Sequence, residues 1–91
     1  MKKTKYQIQR RWNFNGHEEL KDYGRSLTPL KALKRMEELA FNEIETILSY
    51  NLEVTIRRTS DSRYPNAWGM ANNGILIRTD IYLVQWEVVE A

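Results

Sequence analysis

Apolar residues recur at three- and four-residue spacing between Thr28 and Tyr50: Leu30, Leu33, Met36, Leu39, Ala40, Ile44, Ile47 and Leu48. That period places them on one face of an α-helix. Thr28 stands where an N-cap belongs, and Pro29 takes the first helical position, where its missing N–H costs nothing. Lys31, Lys34, Arg35, Glu38, Asn42 and Glu45 fall on the opposite, solvated face. Asn51 follows as a residue that tolerates the left-handed conformation of a helix stop.

The rest of the chain has the two-residue period of strands. From Lys5 to Phe14, Tyr6, Ile8, Trp12 and Phe14 share one face, broken only by Arg10. Asn15-Gly16 supplies a hairpin turn. The return from His17 to Gly24 has few apolar anchors, Leu20 and Tyr23, and its charged content suits an edge strand. After the helix, Leu52 to Arg57 alternates as a half-buried strand with Leu52, Val54 and Ile56 facing in. Thr59 to Ser62 is a polar turn. A second Asn-Gly pair, Asn73-Gly74, predicts a hairpin joining 67–71 to 75–79. Ile75 and Ile77 hold one parity and Tyr82, Val84, Trp86 and Val88 the other, so a turn or bulge is expected at Thr79-Asp80. The order β-(β)-α-β-β-β defines an α+β domain over residues 1–91, one helix across a sheet of four or five antiparallel or mixed strands. Such a helix covers one sheet face. The outer face is expected to carry Lys5, Gln7, Gln9, Arg11, Thr55, Arg57 and Arg78, with Leu76, Ile81 and Leu83.

Composition narrows the class. With 91 residues, 42% of them apolar, and no cysteine, the chain is one small domain without a disulfide framework or a thiolate metal site. The Met1-Lys2-Lys3 start leads into polar residues instead of an apolar run, and no stretch reaches the length of a membrane span. A cytoplasmic protein is expected. The net charge of +2 is uneven: Lys and Arg dominate up to Arg35, and only acids occur from Met36 to Ile56. On the helix this order opposes the macrodipole. An i,i+4 pair such as Lys34–Glu38 accounts for part of it. A basic first third otherwise invites a nucleic-acid ligand.

Candidate chemistry is sparse. His17 is the only histidine; it lacks oriented partners, which makes it a turn residue rather than a catalyst. The four glycines are isolated, so no phosphate loop exists. Neither a catalytic constellation, a cofactor nor a metal is expected. Arg10 and Glu43 read as an ion pair where the helix crosses the first strand. The segment Arg63-Tyr64-Pro65-Asn66-Ala67-Trp68-Gly69-Met70 gathers the residue types that anchor interfaces, although Trp68 serves equally well as a plug for the open end of the core.

Two binding modes follow. In the first, a protein or ribonucleoprotein partner is held by Arg63, Tyr64, Trp68 and Met70 with Arg11, Arg57 and Arg78. In the second, nucleic acid is held by Lys2, Lys3, Lys5, Arg11, Arg57 and Arg58 on phosphates. In size, lack of cysteine and strand-helix-strand layout the chain resembles the small accessory proteins of phages and mobile elements, anti-CRISPR inhibitors among them. The resemblance implies a non-catalytic, stoichiometric inhibitor that occupies a partner's nucleic-acid or activation surface. It transfers no functional residue, and it leaves the oligomeric state open.

Overall fold

The computed structural model describes residues 6–26, 28–59 and 73–90. They form β1 (Tyr6–Phe14), β2 (His17–Ser26), α1 (Pro29–Ser49), β3 (Thr55–Thr59), β4 (Gly74–Arg78) and β5 (Leu83–Glu90). The five strands make one antiparallel sheet in the order β2-β1-β5-β4-β3. The fold is therefore α+β, with α1, the one helix among the described residues, between β2 and β3.

α1 starts and stops where its end residues dictate. The Thr28 hydroxyl accepts the Lys31 N–H at 3.3 Å, Pro29 opens the first turn, and Asn51 takes a positive φ of 58° just beyond the end. Ala32, Met36, Ala40, Ile44 and Ile47 are buried against Ile8 of β1, Ile75 and Ile77 of β4, and Val84, Trp86 and Val88 of β5. Leu33 and Leu39 pack at the margin of this core. Full burial of a side chain such as Met36 contributes about 1.5–3 kcal/mol.

Leu30 and Leu48 depart from the expected inward stripe. They are 70% and 52% exposed. The helix lies over β5 and β1 and reaches β2 and β4 only at its edges. A stripe wide enough to hold both leucines extends past the surface the sheet presents. Ala32, on the buried side, takes the place of Leu30 in the core.

β1 and β2 join through Asn15 and Gly16, both at positive φ (54° and 84°), as a two-residue hairpin requires. The charged return is a true strand, at the sheet's edge. Its register slips opposite Gln7 to Gln9, where Gly24 adopts φ 127° and donates its N–H to the Asp22 carboxylate. Beside this bulge Tyr23 packs on Trp86, ring to ring at 4.9 Å.

Two strand expectations need correction. β3 begins at Thr55 rather than Leu52. Leu52 and Val54 touch the core from the connection that precedes it, whereas Ile56 is 47% exposed, because β3 lies beyond the helix's cover. Asn73-Gly74 is not a hairpin turn. Gly74 opens β4 without a positive φ, and Asn73 is held by β5, its carbonyl accepting the Val88 N–H and its amide donating to the Val88 carbonyl. Residues 67–71 lie outside the described residues. The parity change between Ile77 and Tyr82 is, as expected, a turn, and it spans residues 79–82. There the Thr79 hydroxyl accepts the N–H groups of Ile81 and Tyr82.

Candidate functional site: the open face of the sheet

Register and alternation define the sheet face opposite α1. β1 gives Gln7, Gln9, Arg11 and Asn13; β5 gives Leu83, Gln85, Glu87 and Val89, the last two buried; β4 gives Leu76 and Arg78; β3 gives Thr55, Arg57 and Thr59. The expected outer face is thus assembled as one surface, except for Lys5, which lies outside the described residues, and Ile81, which sits exposed in the turn after β4. At its centre Gln85 reaches across β4 to the Thr59 hydroxyl at 2.7 Å. Gly74 lies under that bridge, and a Cβ there would meet Thr59 Oγ1, Gln85 Nε2 and the Trp86 carbonyl.

The charges of this face are divided. Arg11 stands between Glu18 of β2 at 3.2 Å and Glu87 of β5 at 3.7 Å. Arg57 and Arg78, by contrast, are exposed and have no acidic partner among the described residues. They are diagonal neighbours, since Arg57 faces Leu76 and Arg78 faces Thr55 across the β3–β4 pair. Among the described residues, Thr55, Arg57, Leu76 and Arg78 line a cleft of about 110 Å³. Arg78 also borders a second, wider depression of about 490 Å³ that runs to Asn13, Asn15 and the turn after β4. Two like charges side by side repel, and this arrangement is stabilised when an oxyanion binds between them.

The remaining expected positions fall elsewhere. Arg58 points to the helix side, where its guanidinium pairs with Glu37 at 2.7 Å, so it does not share the face of Arg57. Glu38 is engaged by Arg35 at 3.1 Å, not by Lys34. Lys2, Lys3, Lys5, Arg63, Tyr64, Trp68 and Met70 lie outside the described residues. His17 is exposed in the hairpin beside Glu19 at 3.6 Å and edge-on to Trp12. Among the described residues, no group of three or more His, Asp or Glu is placed to hold a metal ion, and no helix is long and apolar enough to cross a membrane.

Arg10 and Glu43 do meet, beneath the helix. Arg10 donates from Nε at 3.1 Å and from Nη2 at 2.5 Å to the two carboxylate oxygens, and Trp86 Nε1 donates a third bond at 2.7 Å. The Glu43 hydrogen bonds hold the Arg10 guanidinium above its ordinary pKa, against the lowering effect of burial. Burial raises the Tyr82 phenol, and the Glu43 charge raises it further. The carboxylate has its donors and the cluster is closed, so it holds helix to sheet. Trp86 as the third member carries no sequence signal beyond its parity with Val84 and Val88. No protein-family model matches the chain, and comparison with curated proteins and with solved structures finds no match.

Proposed function

We propose that the chain is a non-catalytic binding protein that acts by protein–protein contact through the open sheet face, as a stoichiometric inhibitor of a nucleic-acid-processing complex. One observation carries the choice of face: Arg57 and Arg78 flank a cleft floored by Leu76 and lack an acidic partner among the described residues. Exposed arginines beside a half-buried leucine suit a carboxylate-bearing protein surface, where Arg adds bidentate geometry to charge. The inhibitory role is supported by resemblance in size and layout alone. A basic face of this kind competes for an acidic patch; it does not imitate nucleic acid by charge.

Direct nucleic-acid binding is the weaker reading for these residues. The described positions of the open face include no aromatic side chain on which a base could stack. Arg58 and Arg11 already have acidic partners. The test is affinity capture from host extract with the wild-type chain, with Arg57→Glu/Arg78→Glu, and with Lys31→Glu/Lys34→Glu on the outer helix face. A protein retained at one-to-one stoichiometry after nuclease treatment, lost with the first double variant and kept with the second, is the expected result. Retention unaffected by Arg57 and Arg78, or abolished by nuclease, refutes the proposal.

A further inference from the structure

We infer that β3 is a docking edge for an extended segment of a protein partner, one that alternates acidic and apolar side chains and adds to the sheet as a sixth strand. This rests on the protein-binding reading above and names the partner's chemistry. The two edges of the sheet differ in kind. β2 is broken by its bulge at Tyr23-Gly24, a device that discourages strand addition. β3 pairs with β4 over Thr55–Thr59 without a register shift. Its sequence, Thr-Ile-Arg-Arg-Thr, has no proline, glycine or acid, and it is hydrogen-bonded to β4 alone among the described strands.

The side chains of β3 specify what would lie beside it. On the helix side, Ile56 is exposed. Glu37 reaches across from α1 to Arg58, and Phe41 and Leu48, 45% and 52% exposed, share the flank of the helix that Glu37 stands on. A strand laid along β3 therefore meets the exposed Ile56 side chain on this side. On the other side it meets Arg57, with Arg78 one strand further in. Because successive side chains of a strand point to opposite faces, the fitting segment carries apolar residues at one parity and carboxylates at the other. A second copy of this chain does not fit. Antiparallel self-pairing of β3 centred on Ile56, Arg57 or Arg58 sets the two Arg57 side chains opposite or diagonal to each other, where like charges repel. Main-chain bonds along an edge with side-chain selection by alternate pockets is an established mode of peptide recognition.

The test uses three synthetic ten-residue peptides of about equal length to a strand pair, containing valine and glutamate in alternation, valine and lysine in alternation, and the first composition in two blocks. Each is titrated into the ¹⁵N-labelled chain to about 1 mM, alongside an oligothymidylate. The alternating valine-glutamate peptide should shift the amides of Thr55–Thr59 and slow their hydrogen exchange. The lysine and block peptides should bind at least about tenfold more weakly. Arg57→Glu, at an exposed edge position, should leave the fold intact by circular dichroism and reverse the preference between glutamate and lysine. Shifts centred on β2 or the outer helix face, equal binding of the three peptides, no binding by about 1 mM, or a response to the oligothymidylate alone would each overturn strand addition. If the peptides fail while partner capture still depends on Arg57 and Arg78, the docking edge is wrong and the binding face stands. If the peptides dock on β3 while capture ignores both arginines, the open face is wrong instead.

Discussion

Replacing Glu43 with alanine tests the joint between helix and sheet. The side chain receives two bonds from Arg10 and one from Trp86, and it is 16% exposed against 21% for Arg10. Removing one member of a buried pair typically costs about 3–5 kcal/mol, because the other charge is left without compensation. Here water reaches part of the Arg10 guanidinium, so the expected loss is in the lower range, about 2–4 kcal/mol. Glu43→Gln keeps the shape and one carbonyl acceptor but not the charge, and should fall between wild type and alanine. Arg10→Met combined with Glu43→Leu removes both charges, leaving chiefly the Trp86 N–H without its acceptor, at about 1–3 kcal/mol. The double variant should therefore be more stable than the sum of its singles by about 1.5 kcal/mol or more. Urea unfolding of wild type, Arg10→Met, Glu43→Leu and the double variant, followed by tryptophan fluorescence and by circular dichroism, gives the four free energies of the cycle. A coupling below about 0.5 kcal/mol, the scale of an exposed pair, would refute the claim that this cluster fastens α1 to β1 and β5.

Two further outcomes can be measured on the same chain. Gly74→Ala should destabilise by about 1–3 kcal/mol, as an overpacked site does, since the new methyl meets Thr59 Oγ1 and Gln85 Nε2 and lies 3.0 Å from the fixed Trp86 carbonyl oxygen; an unchanged melting temperature would mean that the Gln85–Thr59 bridge does not form. Tyr82 supplies a pH dependence. Its folded pKa lies above its unfolded value, so the folded state holds the proton more tightly. That contribution is complete below about pH 10 and is lost as pH rises through the folded pKa. Unfolding free energy should fall with pH above about 10 more steeply in wild type than in Tyr82→Phe; parallel curves would remove Tyr82 as the source.

Where the sequence could be read and where it could not follows from what periodicity encodes. A run of spaced apolar residues and a capping pair define α1 locally, and its ends fall as expected at Pro29 and Ser49. The period assigns Leu30 and Leu48 to the apolar side but not the width of the surface they meet, and the sheet proves too narrow for them. Alternation likewise groups Arg11, Arg57 and Arg78 on one face. It is silent on strand order, which decides that Arg11 sits among acids near the β2 edge while Arg57 and Arg78 share a cleft near the other. The same rule turns Ile56 inward, and it is exposed because β3 is the outermost of the described strands. The Asn73-Gly74 pair shows the limit of short motifs: Asn73 has a long-range partner in Val88, and that bond holds the backbone extended. Arg10 was legible for a different reason. A charge that breaks an apolar alternation must find compensation, and Glu43 was the acid on the inward side of the helix.

The pairing of β1 with β5 also has a mechanical consequence. Tyr6 and Glu90 are register partners, so the described chain starts and finishes side by side at one end of the sheet. A force that draws those two points apart acts along the hydrogen bonds rather than along the strands. It loads the Tyr6–Glu90 pair first, then each pair behind it in turn, in the manner of a zip. Pulled instead at Tyr6 and Leu83, which sit at opposite ends of the same strand pair, the interface is sheared and its bonds share the load. The same β1–β5 contacts then yield at a low force in one direction and resist in the other. The domain is soft to tension applied through residues 6 and 90, however well its core is packed.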